Sequence, residues 1–254
     1  MNFRLVRLPS AFAAILLATP LAIVPIQAHA ATPDGEWTGG TIPQRTSFAT
    51  VYDSQRHQLI AFGGDAGGGV PMQDTWVLPL AESFWRPLAV SGPLPPARLG
   101  HYMIYDSGRD RVLLLGGYDG SSQLSNDVWF LDLSGTPQWR PFATYGTRPV
   151  SRQGVVAVYD SVNQRMVLYN QNDFWELSLN TITPTWTLIS ATGGEMPLRG
   201  WPLYAHDTKR NAIVLFGGLN SSGTLSETWE RYLGPGGLWN RIPTVHAPGK
   251  RRSG

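Results

Sequence analysis

Four arginines recur along the chain, and guanidinium groups of this kind can clamp a carboxylate or phosphate through paired N–H donors. They stand at spacings of 53, 54 and 47 residues, as Arg45, Arg98, Arg152 and Arg199. An aspartate follows eight residues after each one, as Asp53, Asp106, Asp160 and Asp207. Because both residue types occur once in every copy, the pattern predicts structural hydrogen bonds and not a single catalytic centre.

The histidines and two loops are the other candidates for chemistry. Residues 65–69 and 119–122 carry oxygen ligands that suit calcium, but they lack a regular acidic series and are more typical of hairpin turns. The histidines downstream of residue 30 share no metal-ligand spacing; they are His57, His101, His206 and His246. We therefore expect no catalytic residue, no cofactor and no metal site.

Short apolar segments position these residues in every copy. A first segment runs from the arginine to the aspartate, and a second ends at Gly63-Gly64, Gly116-Gly117, Asn170-Gln171 and Gly217-Gly218. The third segment carries a tryptophan two residues after an acid, at Trp76, Trp129, Trp175 and Trp229. The fourth opens on a second tryptophan, at Trp85, Trp139, Trp186 and Trp239. Apolar runs of four to six residues separated by turn residues predict four antiparallel strands, a to d, per copy.

Turn chemistry agrees with this assignment. The aspartate that ends strand a is followed by serine or threonine, which favours an Asx turn. Gly-Gly after strand b permits positive φ, and Asn170 is the expected substitute for glycine in the third copy. The paired tryptophans are expected to fill the space between neighbouring sheets, because each can bury about 150 to 250 Å².

These features together resemble the kelch repeat of the galactose oxidase/kelch β-propeller superfamily. The resemblance rests on the arginine, the apolar run into Gly-Gly and the two tryptophans, and it covers roughly residues 37–252. It implies an all-β propeller with four recognisable four-stranded blades, at residues 45–90, 98–143, 152–190 and 199–243. Fold alone does not define an activity.

The ends of the repeat region suggest a further blade within the domain at residues 31–254. Residues 36–38 resemble an isolated strand d, and residues 248–254 resemble the linker and arginine that begin another repeat. The resemblance implies that four blades are few for a kelch ring. We therefore expect a propeller truncated from a larger ring; closure of one blade by both termini is the alternative.

Residues 1–30 have the pattern of a cleaved signal peptide. Arg4 and Arg7 precede an apolar run over 11–24, and Ala28-His29-Ala30 forms an A-x-A cleavage site before Ala31. A membrane anchor is the rival interpretation, but Pro20 interrupts the run and it falls short of the roughly 20 residues that span a bilayer. We expect a secreted or periplasmic protein without stable membrane insertion, and the absence of cysteine is compatible with export.

Charge argues against nucleic acid as a partner. Removal of residues 1–30 takes away two basic residues and no acidic one, which leaves 18 basic side chains against 18 acidic ones. A neutral domain lacks the positive field that a phosphate backbone requires.

Two classes of function remain open. The first is an exported, non-catalytic module that binds a protein or glycan through loops on one propeller face. The second is a carbohydrate-active enzyme similar to the sialic acid mutarotase of the superfamily; the copper chemistry of galactose oxidase needs a cysteine that this chain lacks. The shortened b–c loop of the third copy predicts a notch, and the candidate ligand-binding residues on that face are Asp65, Asp119, Asn172, Trp201 and Asn220.

Overall fold

The structure, a computed structural model, describes residues 42–82, 84–120, 126–150, 155–170, 173–189, 196 and 198–243. Within these ranges the regular secondary structure consists of strands. The segments expected to form the signal peptide and the remnants of a further blade, at 1–30, 36–38 and 248–254, lie outside the described residues, as do Arg152 and Asn172.

Four four-stranded sheets follow one another along the chain. Blade 1 contains β1 (Ala49–Asp53), β2 (Gln58–Phe62), β3 (Thr75–Pro79) and β4 (Arg86–Pro87). Blade 2 contains β5 (Tyr102–Asp106), β6 (Arg111–Leu115), β7 (Val128–Asp132) and β8 (Gln138–Pro141). Blade 3 contains β9 (Val156–Asp160), β10 (Arg165–Asn170), β11 (Asp173–Ser178) and β12 (Trp186–Ile189).

Blade 4 carries an additional hairpin in its b–c loop. Its four main strands are β13 (Leu203–Asp207), β14 (Ala212–Phe216), β17 (Thr228–Tyr232) and β18 (Trp239–Ile242). The hairpin pairs β15 (Leu219–Asn220) with β16 (Gly223–Thr224). In every blade the four main strands are antiparallel and lie in chain order, as predicted from the sequence, and the blades form a four-blade β-propeller arrangement.

Three buried apolar clusters hold consecutive blades together. They pair Ile60 and Phe62 with Leu114, Leu113 and Leu115 with Met166, and Val167 and Tyr169 with Ile213. Across the described residues no such cluster joins blade 4 to blade 1. Apolar burial, worth about 2 kcal/mol for each fully buried aliphatic side chain, therefore stabilises the blades as a series with three interfaces.

Three of the four strand-d tryptophans, Trp139, Trp186 and Trp239, lie in these interfaces as expected, whereas Trp85 precedes β4 and belongs to none of the three clusters. Trp139 is fully buried, and its indole N–H donates to Thr75 Oγ1 of blade 1 at 3.0 Å. Trp239 packs edge-on against Tyr169 of blade 3, with 5.4 Å between ring centroids. These three tryptophans thus fill the gap between neighbouring sheets.

The aspartates that end strand a close the a–b turns. Asp53 Oδ1 accepts the backbone N–H groups of Gln55 and Arg56 at 3.0 and 3.2 Å, and Asp160 does the same for Val162 and Asn163 at 3.2 and 3.1 Å. Both carboxylates are fully buried. The predicted Asx turns are confirmed, and these aspartates serve structure.

The residue after strand b differs between the copies. Gly63 and Gly64 adopt φ of 61° and 98°, as the sequence predicts, and a Cβ on Gly64 would lie 2.7 Å from the Thr46 carbonyl oxygen. The expectation that Asn170 takes over this conformation is wrong, because Asn170 does not have positive φ. It continues β10 and pairs with Asp173 across a shortened connection, so the ladder extends where the other copies turn away.

Candidate functional site

Each described repeat arginine fastens the b–c loop of its own blade. Arg98 donates from Nη1 to the Gly116 carbonyl at 2.8 Å, and its two terminal nitrogens contact the two carboxylate oxygens of Asp127 at 2.7 and 3.0 Å. Arg45 holds Gly63 and Asp74 in the same way, and Arg199 holds Gly217 and Glu227. These arginines are therefore structural, as their recurrence predicts.

The residue after each arginine ties the d–a linker to that loop. Thr46 pairs with Asp65, Leu99 with Tyr118 and Gly200 with Leu219 through backbone hydrogen bonds of 2.8 to 3.0 Å. The d–a and b–c connections emerge on one face of a propeller, which we call the loop face. In blades 1, 2 and 4 these two sets of bonds thus make the loop face a rigid frame for side chains.

A cavity of about 400 Å³ opens where the first strands of all four blades begin. Blade 1 contributes residues 47–50, blade 2 residues 99–103, blade 3 Val155 and blade 4 residues 201–204. We call this cavity the channel mouth. Tyr102 connects two of its walls, because its hydroxyl accepts the Val155 N–H at 2.8 Å.

Aromatic side chains are the main exposed feature of the channel mouth. Phe48, Trp201 and Tyr204 remain 36%, 39% and 42% exposed, and all three line the cavity. Aromatic rings offer large apolar area together with a π face, and they are frequent at the centres of protein interfaces. The cavity can therefore bind through apolar and stacking contacts.

Trp201 occupies a strained backbone position. Its φ is +47°, and the residues two places after the other described repeat arginines, Ser47 and Gly100, have φ of 55° and 63°. A left-handed conformation costs a bulky L-residue about 1 kcal/mol that glycine does not lose. The chain thus carries a tryptophan where glycine is the least strained residue.

His101 is the buried residue of the channel-mouth lining that carries a titratable side chain. The side chain is 4% exposed, and its ring meets Phe62 edge-on at 5.5 Å. Burial lowers the pKa of His101 to about 3, and the nearby Arg98 charge adds to that effect. The imidazole is therefore neutral at physiological pH.

The five predicted ligand residues have different surroundings. Trp201 lies in the channel mouth. Asp65 is engaged by its own loop, since its carboxylate accepts the N–H groups of residues 67, 69 and 70 at 2.8 to 3.1 Å. Asn220 Oδ1 accepts the Ser222 N–H at 2.8 Å within the β15–β16 hairpin. Asp119 is exposed, and Asn172 lies outside the described residues.

The shortened b–c loop of blade 3 is confirmed by the pairing of Asn170 with Asp173. The notch expected above this loop stays a prediction, because residues 171–172, which form the connection, lie outside the described residues. Sequence reasoning missed Phe48, His101 and Tyr204, which share the channel mouth with Trp201. Their position in the repeat could have identified them, because Phe48 and His101 lie three residues and Tyr204 five residues after a repeat arginine, at the start of strand a.

Within the described ranges, no group of three or more His, Cys, Asp or Glu side chains is placed to hold a metal ion. The same residues contain no helix long and apolar enough to cross a bilayer.

Comparison with known proteins agrees with the blade geometry. Residues 30–218 match the family described as "KLHDC2/KLHL20/DRC7 Kelch-repeats domain". The chain belongs to the kelch-repeat family of β-propellers.

Several curated proteins are similar to this chain. Adagio-like protein 3 of Oryza sativa subsp. japonica is 32% identical over 200 residues, which cover 74% of this chain and 30% of that protein. Tip elongation aberrant protein 1 of Schizosaccharomyces pombe is 26% identical over 203 residues, or 76% of this chain and 17% of that protein. Dynein regulatory complex subunit 7 of Chlamydomonas reinhardtii is 30% identical over 102 residues, which cover 40% of this chain and 9% of that protein. The chain spans less than a third of these relatives.

Proposed function

We propose that this chain is a non-catalytic module that binds a protein segment at the channel mouth. The observation that carries the proposal is the convergence of Phe48, Trp201 and Tyr204, all partly exposed, around a cavity of about 400 Å³. Binding energy at protein interfaces is concentrated in a few aromatic and arginine anchors, and tryptophan is the most enriched of these.

Rigidity of the loop face supports the same function. The bidentate contacts of Arg98 and the backbone pairs beside it fix the loops before a partner arrives. A preorganised site loses less conformational entropy on binding than a flexible one. The name of one relative, a subunit of a dynein regulatory complex, also describes a protein that assembles with others.

The strain at Trp201 fits a binding role better than a packing role. A tryptophan in the left-handed region costs about 1 kcal/mol, and 39% of its side chain remains exposed. The left-handed backbone itself belongs to the repeat, since Ser47 and Gly100 share it, but a partly exposed tryptophan at this position is typical of a side chain held in place for a ligand.

The experiment compares two single substitutions in a full-length bait. Trp201→Ala removes the channel-mouth anchor, whereas Ile182→Ala removes a 99% exposed side chain from the c–d turn of blade 3, on the opposite face. Proteins captured from the source organism and quantified by mass spectrometry should fall at least tenfold with W201A and stay unchanged with I182A. Equal capture by both variants would refute the proposed site.

Carbohydrate is the competing ligand class from the sequence, and a glycan array on the same two variants tests it. A glycan that binds wild type and I182A but not W201A would replace protein as the ligand of the channel mouth. Turnover of such a glycan, followed by NMR of its anomeric protons, would favour the alternative function, a carbohydrate-active enzyme.

We also propose that the protein is exported, on the basis of the charged, apolar and A-x-A segments within residues 1–30. Intact-mass analysis of the protein purified from its source should give a chain that begins at Ala31. A chain that retains residues 1–30 in the cytosolic fraction would contradict export without affecting the binding proposal.

A further inference from the structure

A second cavity, of about 290 Å³, lies between blades 3 and 4 on the face of the a–b and c–d turns, opposite the channel mouth. Its walls include Arg165 and Phe174 of blade 3 and Arg231 of blade 4, and the glycine-rich c–d turn at residues 234–237 borders it. The turn offers little side-chain bulk, so the cavity stays open beside the two arginines.

Arg231 breaks the repeat at a core position. It stands two residues after Trp229, and the residues two after Trp76, Trp129 and Trp175 are Leu78, Leu131 and Leu177. The three leucines are 3%, 0% and 0% exposed, and Arg231 is 8% exposed. A guanidinium group therefore occupies a buried site that takes an aliphatic side chain in every other blade.

Among the described residues, Arg231 has an aromatic neighbour and no carboxylate partner. Its guanidinium carbon lies 4.1 Å from the centroid of the Phe174 ring, and within the described part of the chain no carboxylate forms an ion pair with it. Burial, and then the charge of Arg165, lower the pKa of Arg231. A buried, unpaired cation is costly, and in proteins such groups usually have a charge partner.

The nearby carboxylates are already committed to Arg165. That side chain contacts Asp160 Oδ2 at 2.9 Å, Glu176 Oε2, and the carbonyl oxygen of Leu233 at the start of the c–d turn. Asp160 additionally accepts from Asn163 and Asn211, at 2.7 and 3.0 Å. Arg165 is thus held in place as one wall, and no residue in the described ranges accepts a hydrogen bond from the Arg231 side chain, which leaves its N–H donors for a ligand.

We propose that this cavity binds a small oxyanion, with Arg231 as the principal ligand and Phe174 as the platform that holds its guanidinium plane. Carboxylate, phosphate and sulfate share the chemistry that a planar guanidinium recognises through two parallel N–H donors. The site is independent of the channel mouth, because it lies on the other face and uses different residues.

Isothermal titration calorimetry on the full chain tests the proposal with three probes: sodium sulfate, inorganic phosphate and sodium acetate, at ionic strength held constant with sodium chloride. The key variant is Arg231→Leu, which restores the residue type of the other three blades and is expected to fold. Arg241→Leu is the matched control, since it removes an exposed arginine from the neighbouring strand β18 outside the cavity.

We expect saturable binding of at least one probe to wild type and R241L, and at least tenfold weaker binding to R231L. Preference for acetate would identify a carboxylate ligand, and preference for phosphate or sulfate a tetrahedral anion. Arg231→Lys, which keeps the charge and loses the paired donors, should bind with intermediate affinity, and it replaces R231L if that variant does not fold. Absence of saturable binding of all three anions to wild type, or equal affinity in R231L, would overturn the proposal.

Discussion

Arg98 and Asp127, 29 residues apart in sequence, form a two-point contact in which guanidinium nitrogens lie 2.7 and 3.0 Å from the carboxylate oxygens. The arginine side chain is 2% exposed and the aspartate 36% exposed, so the pair lies at the edge of the buried region. The same contact in blade 1 joins Arg45 and Asp74. This pair connects the start of strand a to the start of strand c, and it holds the loop face in shape.

Arg98→Lys should lower the free energy of unfolding by about 2–3 kcal/mol, because lysine cannot reproduce the paired donors or reach the Gly116 carbonyl at the same time. Urea denaturation measures the change. Arg86→Lys is the control, since Arg86 and Glu82 are 48% and 43% exposed and a surface pair of this kind contributes less than about 1 kcal/mol. Equal effects of both substitutions would contradict a special role for Arg98.

Trp139 should couple blades 1 and 2 through its bond to Thr75. Trp139→Phe loses buried area and the indole donor and is expected to cost about 2 kcal/mol, whereas Thr75→Val should cost about 1 kcal/mol. In a double-mutant cycle measured by chemical denaturation, the coupling energy between the two should be about 1 kcal/mol. Additive effects would show that the 3.0 Å contact contributes nothing beyond packing.

His101 should make stability depend on pH. Burial lowers its pKa to about 3, below the ordinary 6.5, so between these values the unfolded chain binds a proton that the native protein does not. The neutral, buried His101 therefore costs no stability above pH 6.5. Between pH 6.5 and about 3 the free energy of unfolding falls as the pH falls, by at most roughly 1.4 kcal/mol per pH unit. Burial raises the pKa of Asp53, but hydrogen bonds from Arg56 and Gln58 outweigh it and hold the pKa below its ordinary value of 3.8. Protonation of such carboxylates therefore destabilises the native protein only at more acidic pH than protonation of His101.

The variant that checks this is His101→Leu, studied by urea unfolding at about pH 7 and about pH 5. Wild type should lose stability between the two conditions, and H101L should lose clearly less. Parallel pH dependences in the two proteins would mean that another group causes the acid sensitivity.

Backbone strain at Trp201 can be separated from the function of its side chain. Trp201→Gly and Trp201→Ala both remove the indole, but glycine adopts the φ of +47° freely, so W201G should be about 1 kcal/mol more stable than W201A. Gly100→Ala should show the same cost in blade 2, because φ is +63° there and a Cβ would meet nothing within 4 Å. Thermal unfolding of the three variants provides the values, and W201A as stable as W201G would remove the argument from strain.

Much of the fold was predictable because the same residues form the same local contacts in each repeat. Strand order, the Asx turns at Asp53 and Asp160 and the interface position of Trp139 all follow from residues close in sequence or from a fixed register. Asn170 was the exception: its type suits a turn, but the pairing with Asp173 extends the ladder instead. Nearest-neighbour hydrogen bonds in the sheet decided the conformation there, and residue preference did not.

The candidate sites were predictable only in part. Trp201 was predicted because it lies in the d–a connection, which the repeat places on the loop face, whereas its partners Phe48 and Tyr204 look in sequence like ordinary residues of strand a. The register did place Arg231 opposite Leu78, Leu131 and Leu177, yet a sequence cannot show whether an arginine at that position is buried, paired or turned to solvent.

The sequence by itself determined the kelch repeat, the four sheets and the structural use of the repeat arginines, because each depends on a local pattern that recurs about every 50 residues. Only the tertiary structure decided that residues from all four blades enclose the channel mouth and that Arg231 lies over Phe174 without a carboxylate partner among the described residues. The physical reason is that both arrangements depend on how the sheets are placed around the axis. That placement is set by packing between blades, which no single repeat encodes.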